Sequence, residues 1–389
     1  MANIRKRGNS YQIRVGVGYK PDGTQISRSM TWTPAQGMSE RQIEKELNRQ
    51  AVIFEEECRS RSAGGMVKFE IFAEEWFSEY AKSNLRNTTF NFLYHQRLRV
   101  YRAIGDTSME KITVRQLQEF INSLSKDGAN EVNGKPLSPK TVRHVLSLVS
   151  DIFAYAVRMG IARENPCVRV VLPKLVRKEK KIYTVEETVR LMELLRKEPV
   201  KYRAFFYLLI YSGCRRGELL GLEWRDVDFA NCLISIRRTS CYTPDRGTYT
   251  DTTKTEQSKR TLKLPQEVMD ILCELREFQL RQADIFGDKW VESGRLFTKE
   301  NGEPQHPNTS YHWLEKFCAR NGLPFYGLHS FRHLFASLLV GNGVDIVTVS
   351  GVLGHSAVST TSNIYCHMLE DARVRASDTV ASALRLSDS

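Results

Sequence analysis

The hydrophobic pattern changes period along the chain, and those changes divide it into parts. Near the start, Tyr11, Ile13, Val15 and Val17 alternate with Gln12, Arg14 and Gly16, the period of a half-buried strand. Pro21-Asp22-Gly23 signals a turn, and Ile26 to Trp32 supplies the returning strand. Ser39 then caps a helical stretch running to about Glu57. Ser60 to Gly65 is small and polar, and reads as a linker.

Beyond this the period becomes 3.6. Phe69, Phe72, Ala73 and Trp76 begin one helix, and Leu93, Leu98 and Tyr101 lie on another. Met109 to Leu124 suggests a third, with Thr113 as N-cap before Val114 and Leu117. Ser138-Pro139 opens a fourth, with Val142, Val145, Leu148 and Val149 inward and Lys140, Arg143 and His144 outward. Asp151 to Met159 continues or follows it. By itself this says only that residues 67–172 form a small helical domain.

Asn165-Pro166 and the basic run Lys174 to Lys181 make a second linker. Thr184 to Glu187 is a capping box, with Val185, Val189, Met192 and Leu195 following at helical spacing. From residue 182 to the end we expect a larger, mostly helical domain with one strand-rich insert, Leu233 to Leu264. No repeat or low-complexity tract appears.

Composition narrows the class. A 41% hydrophobic share rules out a mostly disordered chain of 389 residues. The longest apolar run, Ala204 to Tyr211, is too short to cross a bilayer, so no membrane partner is expected, and the residues after Met1 do not read as a signal peptide. The cysteines at 58, 167, 214, 232, 241, 273, 318 and 366 include no Cys-x-x-Cys pair. That argues against a disulfide scaffold or a structural zinc site and fits a reducing cytoplasm. With 57 Lys plus Arg against 45 Asp plus Glu, the net charge is +12, and a polyanion leads the partner classes. In the first segment Arg5, Lys6, Arg7, Arg14, Lys20 and Arg28 face a single Asp22. A solvated basic face and a sheet laid against DNA explain this equally well.

Four stretches of the last domain place basic or nucleophilic side chains where a helix begins or a turn ends. They are Tyr211 to Leu219, Lys254 to Arg260, His329 to His333, and Leu353-Gly354-His355 with Tyr365 ten residues on. Singly each has an ordinary reading: Arg215 paired with Glu218 on a helix surface, a structural histidine, a half-buried tyrosine. His329 and His333 share the i, i+4 spacing of a zinc pair. The general-base glutamate of His-Glu-x-x-His is missing between them, and Arg332 lies beside them, so no metal site is expected.

Together, in this order, the stretches resemble the boxes of the tyrosine site-specific recombinases, the integrases of phages and mobile elements. Those boxes are Gly-x-Arg-x-x-Glu-Leu, a β-hairpin lysine, His-x-x-Arg, Leu-Gly-His and a tyrosine nine or ten positions on. Gly213 to Leu219, Lys254, His329 to Arg332, Leu353 to His355 and Tyr365 match them in series. The basic N-terminal sheet resembles the arm-type DNA-binding domain of integrases from phages and conjugative transposons.

The resemblance implies a multidomain fold, mainly α with small β-sheets. Residues 1–62 would be a three-stranded arm-binding sheet plus helix, 67–172 a helical core-binding (SAM-like) domain, and 182–389 an α+β catalytic domain ending in an exchange tail. The last two would close as a clamp on the crossover DNA. Arg215 and Arg332 would bind the scissile phosphate, because guanidinium is always charged and bidentate to phosphate oxygens. His329 and His355 would add hydrogen bonds, and Tyr365 would attack to form a 3′-phosphotyrosyl bond. His329 is a plausible general base for the phenol. Lys254 would protonate the leaving 5′-oxygen; Lys259 is the alternative, and Lys254 is preferred because Lys-Thr-x-x-Ser-x-Arg matches the longer hairpin pattern. Glu218 would orient Arg215. Arg5, Arg7, Arg14, Lys140, Arg143 and Arg216 are the expected DNA contacts, and affinity should be salt-dependent.

No cofactor is required by this chemistry. The amphipathic tail with Leu369, Val374, Val380, Leu384 and Leu386 implies packing on a neighbouring subunit, hence a homotetramer on two DNA sites. An excision factor and a host DNA-bending protein are plausible partners. The rival readings are a type IB topoisomerase and a DNA-binding regulator without catalysis.

Overall fold

The structure is a computed structural model and describes residues 2–19, 25–35, 37–64, 67–175, 181–252, 259–355 and 357–359. It divides into two units, Met1–Lys178 and Glu179–Ser389.

The first unit opens with an antiparallel sheet of Asn3–Arg7, Ser10–Tyr19 and Gln25–Trp32, with the second strand in the middle. Ile13 and Val15 are buried against Leu47, Ala51, Phe54 and Cys58 of the helix Glu40–Gly64. That helix runs on through most of the residues expected to be a linker. Arg and Ala are good helix formers, and a helix can end on glycine. Strand register decides which basic residues share a face. Ile4, Ile13 and Met30 are cross-strand partners on the helix side, and Asn3, Arg14 and Ser29 on the other. By the same alternation Arg5, Arg7 and Arg14 lie on the open face. Lys6, opposite Tyr11, and Arg28, opposite Val15, fall on the helix side, so the expected six-residue basic face is smaller.

The helical part builds its own core from Phe69, Trp76, Phe77, Val145, Val149 and Phe153, all nearly fully buried. Its caps are those the sequence announces. Thr113 Oγ1 accepts from Gln116 N at 3.2 Å, and Ser138 Oγ accepts from Thr141 N at 3.2 Å with Pro139 following. Pro139–Arg158 is one helix, so the stretch from Asp151 continues it. Lys140, Arg143 and His144 are exposed on it. Leu93 is buried, but Leu98 is exposed, one turn off the packed face.

The second unit is built around the helix Val200–Ser212, whose residues Ala204 to Leu209 are all buried. The apolar run is therefore a central core helix, surrounded on all sides. The capping box forms, with Glu187 N donating to Thr184 Oγ1 at 3.2 Å and Thr184 N to Glu187 Oε2 at 2.9 Å. Its helix turns Leu191 and Leu195 inward and leaves Val185 and Val189 exposed, because only one stripe of a helix can face a core. The expected single strand insert is two sheets. Val227–Asp228, Leu233–Ile236 and Arg260–Lys263 form one, and Arg238–Thr243 pairs with Gly247–Thr252 in the other.

An aromatic column anchors the helix His329–Gly341 to this core. Phe331 is fully buried and stacks on Tyr183 with ring centroids 4.5 Å apart, while Phe206 packs on Trp313 at 5.1 Å. Burying one such ring contributes roughly 1.5–3 kcal/mol. It also sets the rotation of the helix that carries His329 and Arg332.

Candidate active site

Three segments far apart in sequence meet at the second unit's surface. The first is the turn Gly213-Cys214-Arg215. Gly213 ends the central helix in the left-handed region, at φ 59°, and Arg215 is the N-cap of the next helix, Arg216–Leu220. The second is the start of the helix His329–Gly341. The third is Leu353-Gly354-His355, where Gly354 at φ 64° ends the helix Ile346–Leu353.

Arg332 joins the outer two. It is only 2% exposed, and its Nη1 donates to Gly213 O at 2.8 Å while Nη2 donates to Leu353 O at 2.6 Å. Arg215 spans the same gap from the surface, with Nη1 and Nη2 donating to Gly354 O at 3.3 and 3.2 Å. Its Nη1 also pairs with Glu218 Oε1 at 2.7 Å. Burial pushes the Glu218 carboxyl up, but Arg260 and then Arg215 outweigh it and hold the group below its ordinary value. Burial, reinforced by Arg215, brings Arg332 down to about 10, so it remains a cation at neutral pH.

His355 lies in the field of both guanidinium groups. Burial first, then the charges of Arg332 and Arg215, lower its imidazole to about 4. The ring is thus neutral near pH 7, able to donate from one nitrogen and accept at the other. An unfolded histidine takes up a proton near its ordinary 6.5, and the folded one only near 4. Stability carried by the neutral ring is present above 6.5 and lost as pH falls towards 4. We expect urea denaturation at neutral and mildly acidic pH to show this loss, and His355→Gln to reduce it. An equal acid loss in the variant would mean that His355 is not the group responsible.

The turn itself has no room for a side chain. A Cβ on Gly213 would come within 2.4 Å of Phe335 Cδ1, on top of the positive φ. Gly213→Ala should therefore cost about 2–4 kcal/mol, from strain and overpacking together. A parental urea midpoint for that variant would contradict this.

Of the other expected site residues, His329 is exposed at the helix start, its ring 5.0 Å from that of His333. Arg216 donates to Asn308 Oδ1 at 2.9 Å, and with His329, Tyr311 and Tyr326 it lines a cleft of about 300 Å³. Lys259 is exposed beside a second cleft of about 770 Å³ that Arg237, Arg238 and Arg260 also line. Lys254, Tyr365 and the tail after it lie outside the described residues. Among the described residues no group of three or more His, Cys, Asp or Glu is placed to hold a metal, and no helix is long and apolar enough to cross a membrane.

The sequence reading overlooked two kinds of participant. The carbonyls of Gly213, Leu353 and Gly354 carry no side-chain signal. Arg260 donates from Nη2 to Glu218 Oε2 at 2.8 Å; it was legible only as the last residue of the Lys254–Arg260 stretch.

Residues 181–371 match the phage integrase family, and residues 68–125 match the phage integrase N-terminal SAM-like domain. The ICEBs1 integrase of Bacillus subtilis (strain 168) is 27% identical over 383 residues, 97% of this chain and 98% of that protein. A XerC-like tyrosine recombinase of Caldanaerobacter subterraneus subsp. tengcongensis is 29% identical over 326 residues, 78% of this chain and 80% of that one. The Tn1549 transposon integrase, solved in complex with a circular intermediate DNA, shares the fold. Its TM-score is 0.65 at 19% identity, over 79% of this chain and 99% of that one. The chain belongs to the phage integrase family: it is a tyrosine recombinase of the mobile-element integrase kind, an enzyme that cuts and rejoins DNA.

Proposed function

We propose that the protein integrates and excises a mobile element at double-stranded DNA attachment sites, through a 3′-phosphotyrosyl intermediate and a Holliday junction. Arg215 and Arg332 bind the non-bridging oxygens of the scissile phosphate, where charge builds in the transition state. His355 and His329 donate to the same oxygens, and His329 also takes the proton from Tyr365. Lys254, with Lys259 as the alternative, protonates the leaving 5′-oxygen. The covalent bond to Tyr365 retains the phosphodiester energy, so resealing needs no ATP, and the cations come from side chains rather than a metal.

The observation that carries this reading is the convergence of Arg215 and Arg332. Two guanidinium groups are gathered about one pair of turns with, among the described residues, only Glu218 to offset them, although like charges repel. Such an excess of positive charge, with Arg215 40% exposed, suits an anion.

The domain scheme assigns residues 1–62 to arm-type sites, 67–172 to core sites and 182–389 to catalysis and subunit exchange. Arg5, Arg7 and Arg14 on the open sheet face, Lys140 and Arg143 on their helix, and Arg216 in its cleft serve as DNA contacts. Exchanging two duplexes breaks four strands with one tyrosine each, which calls for a homotetramer on DNA. An excision factor and a host DNA-bending protein complete the assembly, which works on nucleoid DNA in the bacterial cytoplasm.

The test is a trapped intermediate. The protein is incubated in excess EDTA with nicked duplexes tiling the DNA that flanks its gene, and run on denaturing gels. A detergent-resistant protein–DNA adduct is expected at one position. Tight binding in gel shift without any adduct would overturn catalysis in favour of a regulator.

A further inference from the structure

Arg260 opens the strand Arg260–Lys263, directly after Lys259, with a side chain only 7% exposed. Its Nη2 lies 2.8 Å from Glu218 Oε2 and 3.4 Å from Cys214 Sγ. Glu218 is 4% exposed and turns its other oxygen to Arg215 Nη1, while Oε2 also accepts from the Arg215 amide at 2.9 Å. One buried carboxylate is thus gripped by two guanidinium groups, one from its own turn and one 42 residues further along the chain. Stability alone does not account for this. Burying an ion pair costs several kcal/mol per ion before the attraction repays it, and apolar replacements are often neutral or stabilising. What apolar side chains cannot do is fix the direction of a third charged group.

We propose that Arg260 is a positioning residue for strand cleavage: by anchoring Glu218 it holds the Arg215 guanidinium against the Gly354 carbonyl, in line for the scissile phosphate. This deepens the function proposed above and rests on its reading of Arg215. It also ties Arg215 to the strand that follows the segment bearing Lys254 and Lys259, so that both halves of the site answer to one buried carboxylate.

The charged and titratable groups facing Glu218 are Arg215 and Cys214 from its own turn, Arg260 from the strand and Arg332 from the helix His329–Gly341. Burial pushes Glu218 up and Arg260 is the largest influence bringing it down. Without Arg260, Glu218 takes up a proton at higher pH and, once neutral, loosens its hold on Arg215. The cleavage defect must then deepen as pH falls and ease as it rises.

The experiment measures cleavage of the nicked duplex and gel-shift affinity for the full chain and three variants: Arg260→Met, Arg260→Lys, and Glu218→Gln combined with Arg260→Met. Arg260→Met should slow cleavage on the order of 10²-fold at about pH 6 and roughly tenfold at about pH 9, as expected for a misaligned group. Its affinity should stay within about threefold, since the phosphate contacts along the duplex remain. The combined variant should be slow at every pH, because no carboxylate is left to titrate. Arg260→Lys keeps the charge but not the fork, and should be several-fold slow with a parental pH profile.

A parental rate for Arg260→Met, or a folded variant slowed equally at all pH, would overturn the proposal. Should Arg260→Met not fold, Arg260→Lys decides, and a parental rate there overturns it. A parent protein that forms no adduct fails earlier and marks the function reading itself as wrong.

Discussion

Tyr365→Phe is expected to abolish the covalent adduct while DNA affinity stays within about twofold, since binding rests on contacts along the backbone. Only the phenolic oxygen is removed. In the proposed scheme the bond between enzyme and DNA is made through that oxygen, and no other group there acts as a nucleophile. The loss of cleavage should be at least roughly 10⁴-fold, the scale on which a deleted nucleophile is felt. The measurement is the denaturing-gel assay on nicked duplex, with gel shift alongside. An adduct that persists in Tyr365→Phe would place the nucleophile elsewhere. Loss of adduct together with loss of binding would mean that residue 365 supports the fold rather than the chemistry.

Arg332→Ala should have the next largest effect, and it should appear in two assays at once. In the folded protein Arg332 donates to the carbonyls of Gly213 and Leu353, bridging the turns that precede Arg215 and His355. A buried carbonyl left without its donor costs about 1–3 kcal/mol, so losing both should lower stability by roughly 2–6 kcal/mol. Relief of the repulsion between Arg332 and Arg215 offsets part of this. Cleavage should fall by at least 10²–10³-fold, about the cost of one preorganised donor at a developing oxyanion. Arg332→Lys separates the two effects. It keeps a cation but has no planar fork to reach both carbonyls. It should recover part of the cleavage rate more readily than the stability. Urea midpoints and single-turnover cleavage measure the two. Arg332→Lys with parental values in both would show that neither the fork nor the bridge matters.

His355 connects these expectations to pH. Arg332 is the largest charged influence lowering its imidazole, after burial. Removing Arg332 should therefore let the folded His355 charge at a pH nearer its unfolded value, so that the acid loss of stability becomes smaller. A phosphate bound between Arg215 and Arg332 should act in the same direction, by supplying negative charge to an otherwise positive surround.

Much of the fold was legible because its signals are local. A cap such as Thr113 or Ser138, or the box at Thr184, involves residues three apart, and its hydrogen bonds form wherever a helix starts. The strand pattern around Tyr11 to Val15 likewise reports one buried face and one wet one. The errors came where local pattern met a tertiary choice. Val185 and Val189 have the right spacing for a core face, yet the core takes Leu191, together with the expected Leu195, and leaves both valines exposed. Lys6 and Arg28 looked outward, but alternation across the strands sends them to the helix side. A helix or strand has several faces of similar composition, and only the neighbouring element selects one.

The site divides in the same way. The sequence by itself determined which residue types are present, in what order, and that each stands at a turn or a helix start: Gly213 to Glu218, His329 to Arg332, Leu353 to His355. That order was enough to identify a tyrosine recombinase. Only the tertiary structure decided that Arg332 reaches across 119 positions to Gly213, and that Arg215 reaches across 139 to Gly354. It alone turned Arg260, the end of a sequence pattern, into a partner of Glu218. The physical reason is range. Periodicity and capping act over one or two helical turns, whereas a guanidinium group bonds whatever carbonyl the packed core brings to it. The aromatic column from Tyr183 through Phe331 to Trp313 supplies that packing, and its contacts become visible only once the chain has folded.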